Sequence, residues 1–249
     1  MASDDNDLST LLDELTEAAL GPALPAAMAG RPIAVYRSLV HGALQRAVES
    51  MLPRTAARLG PRLHREIELF CSERGPQTHY IRDVAGELVD WAEQSWPGRD
   101  DLAPYLLDLA RHEVASAAVA AATDGADRPA HGELAIDAPA VFIAAARVVR
   151  HGTAVHRLPD DPDDASEPAP GPFALLLYRD ADLALRTLEL SPAAAALLER
   201  LLAGEPLGAA IAAGAADAGV PVDDALLVGT SALLGDLAER GVLLGSAVG

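Results

Sequence analysis

Cysteine, basic residues and catalytic signatures are all scarce in this sequence, and each shortage removes a class of function. A single cysteine, Cys71, in 249 residues excludes an internal disulfide and a cysteine-cluster metal site. On the apolar side of a helix it reads as a buried, inert thiol. Nineteen Lys and Arg against 37 Asp and Glu leave a formal charge of −18, with a pI near 4.6. Such a surface repels phosphate backbones, which proteins bind by neutralising phosphates with cations, so nucleic acid is not an expected partner. Asp4, Asp5 and Asp7 stand where a secretory signal would be basic, and no apolar run approaches the roughly 18 residues that cross a bilayer. A soluble, cytoplasmic protein with no membrane contact is expected.

Candidate catalytic and metal-binding groups are equally thin. The seven histidines are scattered, and His64 with Glu68 forms the one pair spaced to share a helix face; without a second pair it reads as solvated surface. His151 and His156 bracket an expected turn and read as polar hairpin residues. Ser191 precedes a proline as a helix cap and does not sit in a G-x-S-x-G elbow. Gly204 to Gly214 lacks the Lys-Ser/Thr ending of a phosphate loop. The acidic stretch Asp160 to Glu167 lacks the ligand spacing and central glycine of a calcium loop. No enzyme and no cofactor is expected in this chain.

Half of the residues are hydrophobic, enough for one large core or two modest ones, and two domains are expected. Asp7 to Ala19 carries a helical stripe of Leu8, Leu11, Leu12 and Leu15, followed by Gly21-Pro22 and a flexible connector from Pro25 to Gly30. Residues 1–31 are therefore a helix and connector. Pro32 opens a long helix with Ile33, Tyr36, Val40, Ala43, Ala47 and Met51 on one face, and Pro53 stops it. A short turn spans Thr55 to Leu59, Leu63, Ile67 and Phe70 mark the next helix, and Ile81, Val84, Leu88, Trp91 and Ser95 another. Asp101 is the expected cap of a last helix reaching about Ala122, with Leu102, Leu106, Leu109 and Ala110 on one face. Glu113 continues that face inward. A buried carboxylate needs a partner, and an Arg on a neighbouring helix, such as Arg37, is expected to supply it. Residues 32–124 thus read as a helical bundle, closed by a surface loop from Asp124 to His131.

After Gly132 the pattern changes. Strands are expected at Ala140 to Val149 and Thr153 to Leu158, joined by a turn at Arg150-His151-Gly152. The acidic, proline-rich loop at 159–172 has too few apolar residues to fold and reads as a tether. Phe173 to Tyr178 and Leu183 to Leu190 flank a hairpin connection, Arg179 to Asp182. Ser191-Pro192 starts a helix that Gly204 ends, a second covers Leu207 to Ala218, and Asp223 caps a third running to Gly241. Val242-Leu243-Leu244 is a final strand. The expected fold is mainly α: an N-terminal helical bundle, then a small α+β winged-helix-like module over 133–249.

Tyr36-Arg37 opening a helix, Leu52-Pro53 ending it, Leu59-Gly60, and above all the decapeptide Pro104-Tyr105-Leu106-Leu107-Asp108-Leu109-Ala110-Arg111-His112-Glu113 resemble the N-terminal domain of the BufC/HvfC-type family, first labelled a DNA-binding domain. The C-terminal module is similar through Leu175-Leu176-Leu177-Tyr178-Arg179 and Leu190-Ser191-Pro192. Two features depart from the family pattern: Leu52 replaces a common aromatic, and the segment near Gly75-Pro76 is altered. The resemblance implies a non-catalytic partner of a multinuclear non-haem iron oxygenase, forming a heterodimer with it, with the iron in that enzyme. The partner binds the leader of a ribosomally made precursor peptide. It further implies strand addition of the leader to a sheet edge of a leader-recognition-like module. Leu175, Leu177, Leu183 and Leu185 from the hairpin, with Leu233 and Leu237 from the third helix, are the candidate peptide-binding residues. Tyr105, Arg111 and His112, on the exposed edge of the anchor helix, are candidates for docking the oxygenase. The competing reading is a winged-helix transcriptional regulator, but its recognition helix would be Asp223 to Arg240, which holds one Arg, no Lys and several acids.

Overall fold

The computed structural model describes Ala18 and residues 32–123, 130–161 and 164–248. The helix expected over Asp7 to Ala19, the connector from Pro25 to Gly30 and most of the loop from Asp124 to His131 lie outside these residues, apart from Ala18, which is helical. Among the described residues there are eight α-helices and two three-stranded antiparallel sheets. The chain divides into two compact units: residues up to Val114 with Pro159–Glu167, and Ala115–Leu158 with Pro168–Gly249.

The first unit is helical. Helices α1 (Pro32–Met51), α2 (Pro53–Leu59), α3 (Arg62–Glu73), α4 (Val84–Ser95) and the N-terminal part of α5 (Leu106–Ala121) surround a core that includes Leu44, Val48, Leu52, Ile67, Phe70, Leu88, Trp91, Leu106 and Ala110. Phe70 and Trp91 pack at 6.0 Å between ring centroids. Cys71 is buried there, and burial pushes its thiol up to about 11, which leaves it protonated and unreactive at neutral pH.

Two buried carboxylates join the helices. Glu113 of α5 meets the start of α2, where the Arg of a neighbouring helix beside it is Arg54; Arg37, the example expected, donates to the Ala18 carbonyl at 3.3 Å. Glu113 Oε1 accepts from the Arg54 amide at 2.9 Å, and Oε2 accepts from the Thr55 amide at 3.0 Å and the Thr55 hydroxyl at 2.7 Å. The Arg54 guanidinium stands 3.7 Å away. The first four positions of α2 are thereby all satisfied. Pro53 has no amide hydrogen, Arg54 and Thr55 are capped by the distant carboxylate, and the Ala56 amide donates to the Leu52 carbonyl at 2.8 Å. Leu52, at the cap position, has no side chain that could do this, so α5 supplies the cap for α2.

Glu66 of α3 is the second. It is wholly buried and accepts from Trp96 Nε1 at 2.9 Å and from Arg99 at 2.8 and 2.9 Å. Arg99 also grips Asp101 at 2.7 Å, and this explains why Asp101 caps no helix. Its carboxylate is committed to Arg99, and α5 begins only at Leu106, beyond Pro104. The acidic loop is likewise more than a tether, since Asp164 pairs with the buried Arg58 at 2.8 Å and Asp160 lies 3.5 Å from Arg54.

In the second unit, β1 (His131–Gly132), β6 (Leu243–Ala247) and β2 (Ala140–Phe142) form one sheet with β6 central. Strands β3 (Ala146–Thr153), β4 (Pro170–Arg179) and β5 (Leu185–Leu190) form the other, with β4 central. The expected turn at Arg150-His151-Gly152 is strand, with Arg150 paired to Ala174 and His151 to Phe173, and the register shifts at Gly152. The chain breaks earlier, at residues 143–145, which separate β2 from β3. Val155–Arg157 is a 3-10 turn, not a strand. Helices α6 (Pro192–Leu202), α7 (Leu207–Asp217) and α8 (Asp224–Glu239) follow. As expected, the Ser191 hydroxyl caps α6 through the Ala194 amide and the Asp223 carboxylate caps α8 through the Leu226 amide. At Gly214, where α7 crosses α6, a Cβ would stand 3.0 Å from the Leu197 amide nitrogen, so the close helix contact depends on its having none.

Replacing Glu113 with Ala is expected to cost about 3 kcal/mol in urea unfolding, since it strands two amides and a hydroxyl at the start of α2 and removes one carboxylate from the Arg54 guanidinium. The Arg99 hydrogen bond to Asp101 holds that carboxyl at about 2, below its ordinary 3.8. A depressed folded-state value means stability that is complete above about pH 4 and lost as the pH falls toward about 2. An Asp101→Asn variant should therefore show a shallower loss of stability over that window than the wild type.

Candidate peptide-binding site

Residue identity makes β4 apolar on both faces, and the register decides where each side chain goes. Leu176, Tyr178, Leu188, Leu190 and Val148 share one face and pack on Leu197, Leu198 and Leu201 of α6, Ala210 of α7, and Leu234 and Leu237 of α8. Leu177, Ala145 and Val149 share the opposite face and pack against Ala115 and Val119 of α5. Cross-strand partners stand on the same side of a sheet, so the pairings Leu175 with Glu189, Leu177 with Thr187 and Arg179 with Leu185 place Leu185 on the α5 face too.

This separates the candidate peptide-binding residues. Leu175, Leu177 and Leu237 are wholly buried and have no surface to offer. Leu185 is exposed, but on the face away from α8. Leu183 projects from the hairpin tip, 72% exposed, with φ of 62°. Asp180 builds that tip by accepting from the Asp182 and Ala184 amides at 3.0 and 2.9 Å. The Arg186 guanidinium, bonded to Asp180, holds its carboxyl below the usual range. Leu183 borders a small recess beside Asp180, Arg240 and Gly241, and Leu233 lines a larger cleft.

That cleft holds about 450 Å³ and lies between the end of β5 and helices α6, α7 and α8. Leu188, Leu190, Leu197, Ile211, Leu226 and Leu233 supply its apolar walls, Gly229 is an exposed position of α8 beside the buried Thr230, and Asp236 also lines it. Asp236 is already held by Arg240 at 2.7 Å, and Arg240 also donates to the Tyr178 hydroxyl at 2.9 Å; both contacts raise the Arg240 pKa. Among the described residues β5 pairs only with β4, so its other edge is free alongside the cleft. Leu188 and Leu190 were not singled out from the sequence, although their i, i+2 spacing was there to read; the phase of the alternation is carried by them and broken by Leu185.

Gly229 sits inside α8, and, as at Gly86 in α4, a Cβ there would meet nothing within 4 Å. Packing does not need a glycine at this position, and in a helix interior it is unfavourable. What it does is leave room beside the strand edge.

On the other face, Glu189 accepts from His156 at 2.7 Å and from Arg157 at 2.7 to 2.9 Å, contacts that hold its carboxyl below the usual range. His156 meets the Phe173 ring edge-on at 5.4 Å and Arg157 stands 5.3 Å over it. His156 is thus part of a packed ionic cluster on the sheet, not a hairpin residue, and His151 is buried within β3. His64 and Glu68 are 3.5 Å apart on exposed surface, and no group of three or more candidate metal ligands occurs among the described residues.

The candidate docking residues on α5 are less open than their sequence pattern suggested. His112 is buried, Tyr105 is half-buried against the helical core, and Arg111 is tied to Glu93 at 2.8 Å. Of the three, Arg111 is the most accessible.

Leu183 holds a left-handed backbone while mostly exposed, so little packing offsets that strain. Leu183→Asn is expected to raise stability by about 0.5–1 kcal/mol, read as an upward shift in the urea midpoint.

Residues 144–238 match the family model described as the HvfC C-terminal domain. The stretch runs from just before β3 to near the end of α8, so the cleft lies wholly within it. No curated protein matches the chain.

Proposed function

From the premise that this chain is of the HvfC type, by its C-terminal domain, we propose that it is a non-catalytic partner protein that binds the leader of a ribosomally made precursor peptide and presents it to a multinuclear non-haem iron oxygenase. Its HvfC-type domain marks it as a partner in a biosynthetic system. The observation that carries the finer reading is the free edge of β5 lying along an apolar cleft.

An extended leader beside β5 gains backbone hydrogen bonds, each worth about 0.5–1.5 kcal/mol net, and points alternate side chains at the cleft. Leu188 and Leu190 form the strand side of the recess, and Leu226 and Leu233 the helix side. Gly229 leaves the mouth wide enough for a bulky residue. Specificity then comes from two side chains two positions apart, while affinity comes largely from the strand edge. The β3-β4-β5 sheet with α6, α7 and α8 serves as a winged-helix-like recognition module, the iron chemistry belongs to the oxygenase, and the complex works in the cytoplasm.

A DNA-binding role finds no support in the corresponding helix. Along α8 and its caps stand Asp223, Asp224, Asp236 and Glu239, against a single Arg240 that is bonded to Asp236. Leu227 and Val228 occupy exposed positions where a reader of DNA would carry cations.

Co-expression with the neighbouring genes and mass spectrometry of what co-purifies identifies the peptide and the enzyme. Synthetic precursor peptide is then titrated against wild type and Gly229→Leu. The leucine should raise stability by about 1 kcal/mol and yet weaken peptide binding at least tenfold by closing the mouth of the cleft. Undiminished binding to the variant would refute the β5 cleft as the leader site, and co-purification of the protein alone with a salt-resistant shift of duplex DNA would restore the regulator.

A further inference from the structure

A strand laid along β5 has two faces, and the cleft accounts for one of them. The phase of β5 settles what the other meets. The Asp180 amide donates to the Ala184 carbonyl at 3.0 Å, whereas the Arg179 amide turns the other way, to the Ala145 carbonyl at 3.0 Å. Asp180 with Ala184 is therefore a hydrogen-bonded pair, and Arg179 with Leu185 is not. Such pairs alternate along an antiparallel ladder, and the register of β4 on β5 is unbroken. Arg186, Leu188 and Leu190 thus spend their backbone groups on β4. Leu185, Thr187 and Glu189 point theirs outward, toward an added strand.

Glu189 is the charged member of these three. A peptide residue paired beside it puts its side chain on the carboxylate's face, and the residues before and after it turn into the cleft, against Leu188 and Leu190. The carboxylate is held but not enclosed. Its Oε1 accepts from His156 at 2.7 Å and from Arg157 at 2.9 and 2.7 Å, whereas among the described residues Oε2 accepts from Arg157 alone, at 2.9 Å. A carboxylate oxygen has room for a second donor. His156 and Arg157 both stand on the Phe173 ring of β4, which is diagonal to Glu189 on this face, so they reach the carboxylate from the β4 side. The Glu189 side chain is 47% exposed, and its open side is the one an added strand would run past. Opposite charges paired across strands attract and like charges repel.

We propose that Glu189 selects a basic side chain in the leader, so that the bound segment reads apolar, then Arg or Lys, then apolar, the two apolar residues entering the cleft. This rests on the β5 edge as the leader site and adds the residue that face leaves unspecified.

A displayed library of randomised 12-residue peptides is selected on the full chain as wild type, Glu189→Gln and Gly229→Leu. Wild type should enrich apolar-basic-apolar, Glu189→Gln the apolar pair with no basic preference between, and Gly229→Leu neither. The peptide recovered on wild type is then made with Lys, Gln or Glu at the middle position and titrated by fluorescence anisotropy. On wild type the Lys version should bind about fivefold more tightly than the Gln version, with the Glu version weaker still. On Glu189→Gln the Lys and Gln versions should bind alike; a merely structural role for Glu189 would weaken both and leave their ratio unchanged. Equal binding of Lys and Gln on wild type, or a Lys preference that survives Glu189→Gln, overturns the proposal. Tighter binding of the Glu version also overturns it and assigns the contact to Arg157. In each of these cases an apolar pair that Gly229→Leu abolishes leaves the β5 site standing. If wild type enriches nothing that Gly229→Leu loses, the site itself is refuted and the proposal falls with it.

Discussion

A carboxylate taken out of water has to be matched by donors, and the helical unit is arranged around two such matches. Glu113 reaches from α5 to the first turn of α2 and satisfies the amides of Arg54 and Thr55 together with the Thr55 hydroxyl. Without it, Leu52-Pro53 would start a helix with no cap. Glu66 gathers Trp96 and Arg99 onto α3 in the same way. Apolar packing around Phe70, Leu88 and Trp91 supplies the bulk of the burial, but it is non-directional. The two carboxylates give the bundle its directional contacts, because each has a single arrangement of donors that repays its desolvation.

The second unit is organised by the period of its central strand. Successive residues of β4 alternate between the α5 face and the α6–α8 face, and both faces are buried. The neighbouring strand β5 stays unpaired on its far side among the described residues. An exposed edge is a hazard unless it is blunted or used. Here Arg186 is bonded to Asp180 and Glu189 to Arg157 and His156, so the edge carries charge, and its apolar residues Leu188 and Leu190 turn into the cleft beside α8. That helix is apolar nearly all round, a pattern that otherwise belongs to buried helices. Gly229 lies inside it, lining the cleft, and a Cβ there would meet nothing within 4 Å.

Much of the architecture was readable from local chemistry. Proline at a first helical position, Ser191 and Asp223 as caps, and the three-to-four spacing of apolar residues located six of the helices closely, because these signals act within one turn of chain. Asp101 misled for the same local reason: it looked like a cap, but Arg99 two residues away holds it more strongly. The turn expected at Arg150-His151-Gly152 failed because a glycine in a strand and a glycine in a turn look alike until the partner strand is known.

The candidate site shows where that limit falls. The sequence by itself determined a helical N-terminal half, an α+β C-terminal half, an acidic surface, an inward Glu113 and a buried Cys71, since each follows from side-chain type and short-range spacing. Tertiary structure alone decided that Glu113 caps α2 and does not meet Arg37. It also put Leu175, Leu177 and Leu185 on the face away from α8, leaving Leu188 and Leu190 beside Leu233. A continuous apolar strand reads the same in either phase, and only pairing to its neighbours, residues distant along the chain, sets which side each leucine takes.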